Sequence, residues 1–146
     1  MARVLTLVAL VTLSWNAKGA QKPPRKLDKK LTVYLYDKID DSEFITEEQE
    51  RMRELTGEVA RYFRHRDHRY WFELVEDPDL AEIQLRLVTL TQYGTTTVIR
   101  SELTIGDYKT AIYGRSTVDL RETAKDLLDN LRRFCEKNYH KLRSGS

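Results

Sequence analysis

Cys135 is the only cysteine in the chain, so no internal disulfide can form. No cysteine lies near the end of the apolar segment at the start of the chain, which closes the lipid-anchored route of bacterial lipoproteins. No serine sits in a G-x-S-x-G frame: Ser42, Ser101 and Ser116 all lack it. The letters HRD at 65–67 come without a glycine-rich loop or a DFG, so a kinase is excluded. No apolar run approaches the roughly 20 residues that a membrane-crossing helix needs. A strong basic excess is missing too. The chain carries 25 Lys+Arg against 23 Asp+Glu, and residues 1–20 hold Arg3 and Lys18 but no acid. Without that segment the charges balance, and a nucleic-acid-binding domain is not expected.

What is present begins with MARVLTLVALVTLSWNAKGA at 1–20. Arg3 makes a short positive start, Val4 to Leu13 is mostly apolar, and Ala17-Lys18-Gly19 gives a small-x-small pattern. This is the layout of a secretory signal peptide, cut after Gly19 or Ala20. The alternative is an uncleaved amino-terminal anchor. Residues 21–30, QKPPRKLDKK, form a basic, proline-containing linker, expected to be a solvated tether. Its alternative use is attraction to anionic head groups or acidic wall polymer. Membrane contact is expected only through an uncleaved leader or this linker. A chain without disulfides suits a bacterial periplasmic or secreted protein better than a small eukaryotic secreted one.

Residues 31–142 read as one α+β domain, with 143–146 as a frayed tail. LTVYLYD at 31–37 alternates, with Leu31, Val33 and Leu35 on one face and Tyr34 and Tyr36 on the other. Thr46 and Gln49 form a capping box that opens a helix running to about Arg64. Its stripe is Met52, Leu55, Val59, Tyr62 and Phe63. Strands follow at 70–75, 81–92, 95–105 and 108–115, with Ile83, Leu85, Leu87 and Thr89 expected on one face of the second of these. Ser116 or Thr117 caps a last helix whose stripe runs to Leu142. The order β-α-β-β-β-β-α predicts a two-layer sandwich: a five-stranded mixed sheet with two helices on one face. With the last four strands read as a meander, the two helices should run antiparallel.

Three groups of residues could carry function. His65, Asp67 and His68 have the spacing of partial metal ligands, and they define the alternative in which the chain is a small metal-dependent or hydrolytic enzyme. A third strong ligand would be His140, which antiparallel helices would hold at the opposite edge. The plainer interpretation is a helix end, where Arg61, Arg64, His65 and Arg66 meet the negative end of the dipole. Gly114, Arg115, Ser116 and Thr117 mark a strand-to-helix junction that could bind an anion through backbone N–H groups. Tyr34, Tyr36, Arg86 and Tyr113 stand on the strand face away from the leucines and form a candidate binding surface; Tyr108 is considered beside them. The acidic clusters Asp37, Asp40, Asp41, Glu43 and Glu76, Asp77, Asp79 match no EF-hand, and Cys135 falls in a core stripe.

In element order, the crossover 31–75, the turn and strand EDPDLAEIQLRLV at 76–88, the hairpin 95–115 and the closing helix resemble small bacterial envelope modules. They are similar in outline to the amino-terminal domain of the periplasmic Tol-system propeller protein. No functional residue transfers. The expectation is an exported binding or adaptor module without catalysis or cofactor. Its partner would be an envelope protein or a small ligand, and its oligomeric state is open.

Overall fold

The computed structural model describes residues 24–37, 46–65 and 67–144. The expected leader at 1–20 and the acidic positions Asp40, Asp41 and Glu43 lie outside the described residues.

The elements are β1 (Leu31–Asp37), α1 (Glu47–Phe63), β2 (Phe72–Leu74), β3 (Ile83–Tyr93), β4 (Thr96–Ile105), β5 (Tyr108–Ser116), α2 (Leu120–Lys137) and a short α3 (Tyr139–Ser144). Short 3-10 turns, His68–Tyr70 and Pro78–Leu80, flank β2. The sheet has five strands in the order β2-β1-β3-β4-β5. This is the expected α+β class and mixed sheet, with both long helices on one face.

The sheet topology differs from a four-strand meander. β1 pairs in parallel with β2 on one side and with β3 on the other, and only β3, β4 and β5 alternate in direction. The chain therefore passes β1 between β2 and β3. Thr32 on β1 fixes that passage: its hydroxyl donates to the Leu80 carbonyl at 3.0 Å and accepts from the Glu82 N–H at 2.9 Å. As a result β5 points the same way as β1, and α2 returns parallel to α1. The antiparallel helices expected from sequence are thus corrected. The carboxyl ends of α1 and α2 lie at one end of the domain.

Local chemistry explains the element ends. Thr46 Oγ1 accepts from the Gln49 N–H at 3.2 Å, and Gln49 Oε1 accepts from the Thr46 N–H at 3.0 Å, the reciprocal capping box read from sequence. α2 is capped by Asp119, not by Ser116 or Thr117: Asp119 Oδ1 accepts from the Glu122 N–H at 2.8 Å, while Ser116 Oγ holds the Val118 N–H at 2.9 Å. The long helix ends at Asn138, whose side-chain amide donates to the Phe134 carbonyl at 2.8 Å alongside its own backbone N–H at 3.1 Å. Gly94 and Gly106 turn the two hairpins with φ of 60° and 58°, at the first position of a two-residue loop.

The core lies between the helices and one sheet face. Leu55, Val59 and Phe63 of α1 and Leu127, Leu128 and Leu131 of α2 meet Leu31, Val33, Leu85 and Ile99. A bulge between Leu87 and Thr89 resets the alternation of β3, so Leu90 enters the core and Thr89 is exposed. Sequence alternation alone had placed Thr89 on the core face. The linker also departs from a free tether. Leu27 is buried, its N–H donates to the Tyr70 carbonyl at 3.1 Å, and Trp71 Nε1 donates to the Pro24 carbonyl at 3.1 Å.

Gly114 sets the closest approach of helix to sheet. A Cβ at this position would lie 2.6 Å from the Thr123 carbonyl oxygen and 2.7 Å from Leu127 Cβ. Gly114→Ala should therefore destabilise the domain by about 1–3 kcal/mol, the usual range for overpacking. Urea unfolding should show a lower midpoint with an unchanged slope.

Candidate functional site

Among the described residues, no element covers the sheet face opposite the helices. Its side chains alternate with the core set. Tyr34 and Tyr36 stand there on β1, with ring centroids 5.1 Å apart and planes 27° apart. Tyr36 is in register with Arg86, and Arg86 with Glu102, so the three form one row across β1, β3 and β4. Arg86 Nη1 lies 3.9 Å from Glu102 Oε2, a loose ion pair. Its Nε is buried and has no hydrogen-bond partner among the described residues. Such an N–H retains its capacity to donate. Tyr113 on β5 is 45% exposed and pairs across the strands with Arg100.

The face is electrically polarised. Arg86, Arg100, Lys109 and Arg115 stand on β3, β4 and β5, with Glu102 among them. Glu73 on β2 and the acidic turn containing Asp77 and Asp79 lie towards the other edge. The four residues expected as a binding surface, Tyr34, Tyr36, Arg86 and Tyr113, thus share one open face. Tyr108 does not join them: its ring lies on the helix side, stacked on Phe134 at 6.2 Å.

The anion-binding expectation at Gly114–Thr117 meets a different geometry. Gly114, Arg115 and Ser116 belong to β5, and α2 starts only at Leu120. The Arg115 N–H donates to Asp126 Oδ2 at 2.9 Å. The Val118 and Glu122 N–H groups are engaged by Ser116 and Asp119. A carboxylate of the chain already fills the role of the anion.

His65, Asp67 and His68 follow the end of α1, but they do not converge on one point. His65 is exposed, with its ring 5.9 Å from that of Tyr62. Asp67 Oδ1 lies 3.9 Å from Arg25 Nη2. His68 turns inward, and its Nε2 lies 3.4 Å from Asp129 Oδ1 on α2. Arg132 holds the same corner together. It donates to the Asp67 carbonyl at 2.6 Å and to Glu136 at 2.9 Å, and its guanidinium sits 4.9 Å from the Trp71 ring centre. A polar cleft of about 550 Å³ opens here between Arg25, Asp67, His68, Asp129 and the arginines of α2.

Among the described residues the cleft lining has a histidine–aspartate pair and the carboxylates of Asp67 and Glu136, but no hydroxyl or thiol side chain. Among the described residues, no group of three or more His, Cys, Asp or Glu side chains is placed to hold a metal. Asp129 and Arg132 could not be linked to His68 from the sequence, because they lie far from it along the chain. The parallel helices bring them together. Burial lowers the His68 pKa below its ordinary 6.5, against the pull of Asp129. Burial also pushes the Cys135 thiol up to about 12, which leaves no thiolate at neutral pH.

The sequence matches no protein-family model and no curated protein. Several solved structures share its general layout at low identity. A ribosomal subunit interface protein from Coxiella burnetii is 12% identical, with a TM-score of 0.40 over 76% of this chain and 99% of that one. The Thermus thermophilus Protein Y N-terminal domain is 12% identical, with a TM-score of 0.37 over 76% and 99%. The hypothetical protein CT253 from Chlamydia trachomatis is 8% identical, with a TM-score of 0.40 over 80% and 99%. These are small α+β domains, and none of the three is a Tol-system propeller protein.

Two solution properties follow from the buried groups. The folded chain binds fewer protons at His68 than the unfolded chain just below pH 6.5. The stability contributed at this position is therefore full above pH 6.5 and is lost as pH falls through the folded-state value. Urea unfolding of the native chain and of His68→Gln, from about pH 8 to about pH 5, should show their difference changing only below the ordinary histidine value. A thiol reagent should leave Cys135 unmodified in the folded chain and label it fully in denaturant.

Proposed function

We propose that the chain is an exported binding module of the bacterial envelope, an adaptor that holds a protein partner on the helix-free face of its sheet and catalyses no reaction. The leader-like residues 1–20 support the export half of this reading. The open face supports the binding half. The observation that carries it is the row Tyr36–Arg86–Glu102, with the Tyr34 ring stacked beside it. Tyrosine and arginine are the side chains that most often anchor protein interfaces, because each buries much area and keeps a directed polar group. The basic residues on β3 to β5 favour a partner surface rich in carboxylates.

The element order that resembles the Tol-system amino-terminal domain is consistent with an envelope role, and it assigns no residue. The polar cleft at His68 holds the alternative, a small hydrolytic or metal-dependent enzyme.

A carboxyl-terminally tagged chain, expressed in its native host, should be recovered cut after Gly19 or Ala20 and with one discrete envelope protein. Tyr34→Ala combined with Arg100→Glu should weaken that partner's binding by about tenfold or more, the loss expected from removing an anchor and reversing a rim charge. Retention of a full-length chain in the cytosol would remove the export half. Unchanged binding by the double variant would remove the open face from the interface.

A further inference from the structure

β5 ends the sheet, and its outer edge is only half covered. Along an antiparallel edge, every second residue turns both its N–H and its C=O away from the neighbouring strand. α2 takes up two of these groups. Asp126 accepts from the Arg115 N–H at 2.9 Å, and Asn130 donates to the Tyr113 carbonyl at 2.7 Å. Lys109 and Ala111 share the alternation of Tyr113 and Arg115, so their backbone groups also face outward. Among the described residues, nothing hydrogen-bonds to them from that side.

Beside this open half, a cleft of about 1020 Å³ opens between the β4–β5 turn and the end of α2 and runs inward to Lys29 and Glu82, ahead of β1 and β3. Its apolar part is Tyr108 stacked on Phe134, with planes 12° apart, together with Ile105 and Leu142. Tyr108 is 55% exposed. Free strand edge and apolar cleft meet at this residue.

We infer that the lower half of β5 and this cleft form a second docking groove, which takes one extended segment of a partner protein as an added strand. The anchor of that segment is an apolar or aromatic side chain in the cleft. The occupant follows from what is unsatisfied: outward N–H and C=O groups at every second residue match another extended backbone. Lys109 favours an acidic side chain directly opposite it. A second copy of the chain fits less well. Two-fold pairing centred on Ala111 would aim the Lys109 N–H of one copy at the Tyr113 carbonyl of the other, which Asn130 already occupies. Pairing centred on Lys109 would set two ammonium groups face to face. The cleft lies on the helix side of the sheet and meets the open face only through Lys109, so an adaptor would have two places to hold partners.

The probe is a displayed library of short random peptides, panned on the full chain. Enriched sequences should combine an aromatic or aliphatic residue with a nearby acidic one, and a synthetic copy should protect the Lys109 and Ala111 amides from hydrogen exchange. Proline is tolerated where an edge N–H faces solvent, so Ala111→Pro should fold and bind the peptide about tenfold more weakly or worse. Tyr34→Ala, on the other surface, should bind it unchanged. An absence of enrichment, or equal binding by Ala111→Pro, would overturn the groove. A dimer of the unmodified chain that Ala111→Pro dissolves would overturn the peptide as occupant. Should Ala111→Pro fail to fold, amide protection in the unmodified chain decides the matter.

Discussion

The position of β1 between β2 and β3 constrains everything else. Both edges of β1 are hydrogen-bonded, and both neighbours run parallel to it. Parallel neighbours cannot be joined by a tight hairpin, so β1 to β2 and β2 to β3 are both crossover connections, and the second passes β1. The first crossing uses α1. The second is short and contains no helix, and the Thr32 hydroxyl pins it at Leu80 and Glu82. From these two connections follow the parallel helices and the meeting of His68 with Asp129.

The periodicities and caps that could be read in the sequence are those set by neighbours a few residues apart. The Thr46–Gln49 capping box, the stripe of α1, the Gly106-Asp107 turn and the alternation of β1 are all of this kind. The α+β class and the five strands follow from them. What stayed hidden depends on residues far apart. Strand direction after β2 depends on where β3 pairs, on the far side of β1. The bulge at Val88 shows in the sequence only as Leu87 and Leu90 standing three apart, which strict alternation through Thr89 passes over. Asp119 outcompetes Ser116 and Thr117 as a cap because β5 continues through Ser116.

The functional surfaces follow the same division. Tyr34, Tyr36, Arg86 and Tyr113 could be placed on one face because strand alternation alone sorts them. The loose pairing of Arg86 with Glu102 needed the β3–β4 register. The cleft at His68 needed the helix directions as well. At Gly114 the sequence pattern suggested a ligand site, whereas packing explains the glycine: α2 lies against it, and Asp126 on that helix takes the neighbouring N–H.

The order of the strands also bears on how the chain folds. β3, β4, β5 and α2 contact one another through short loops, so they can assemble early from local pairings. β1 cannot join them by a local step. It is made before β3, and its partner on that side is separated from it by a helix and a second strand. Until β3 forms, LTVYLYD remains an apolar strand with an unpaired edge, the kind of segment most prone to wrong pairings. The late closing of the sheet around β1 is therefore the step at which this chain is most exposed to aggregation.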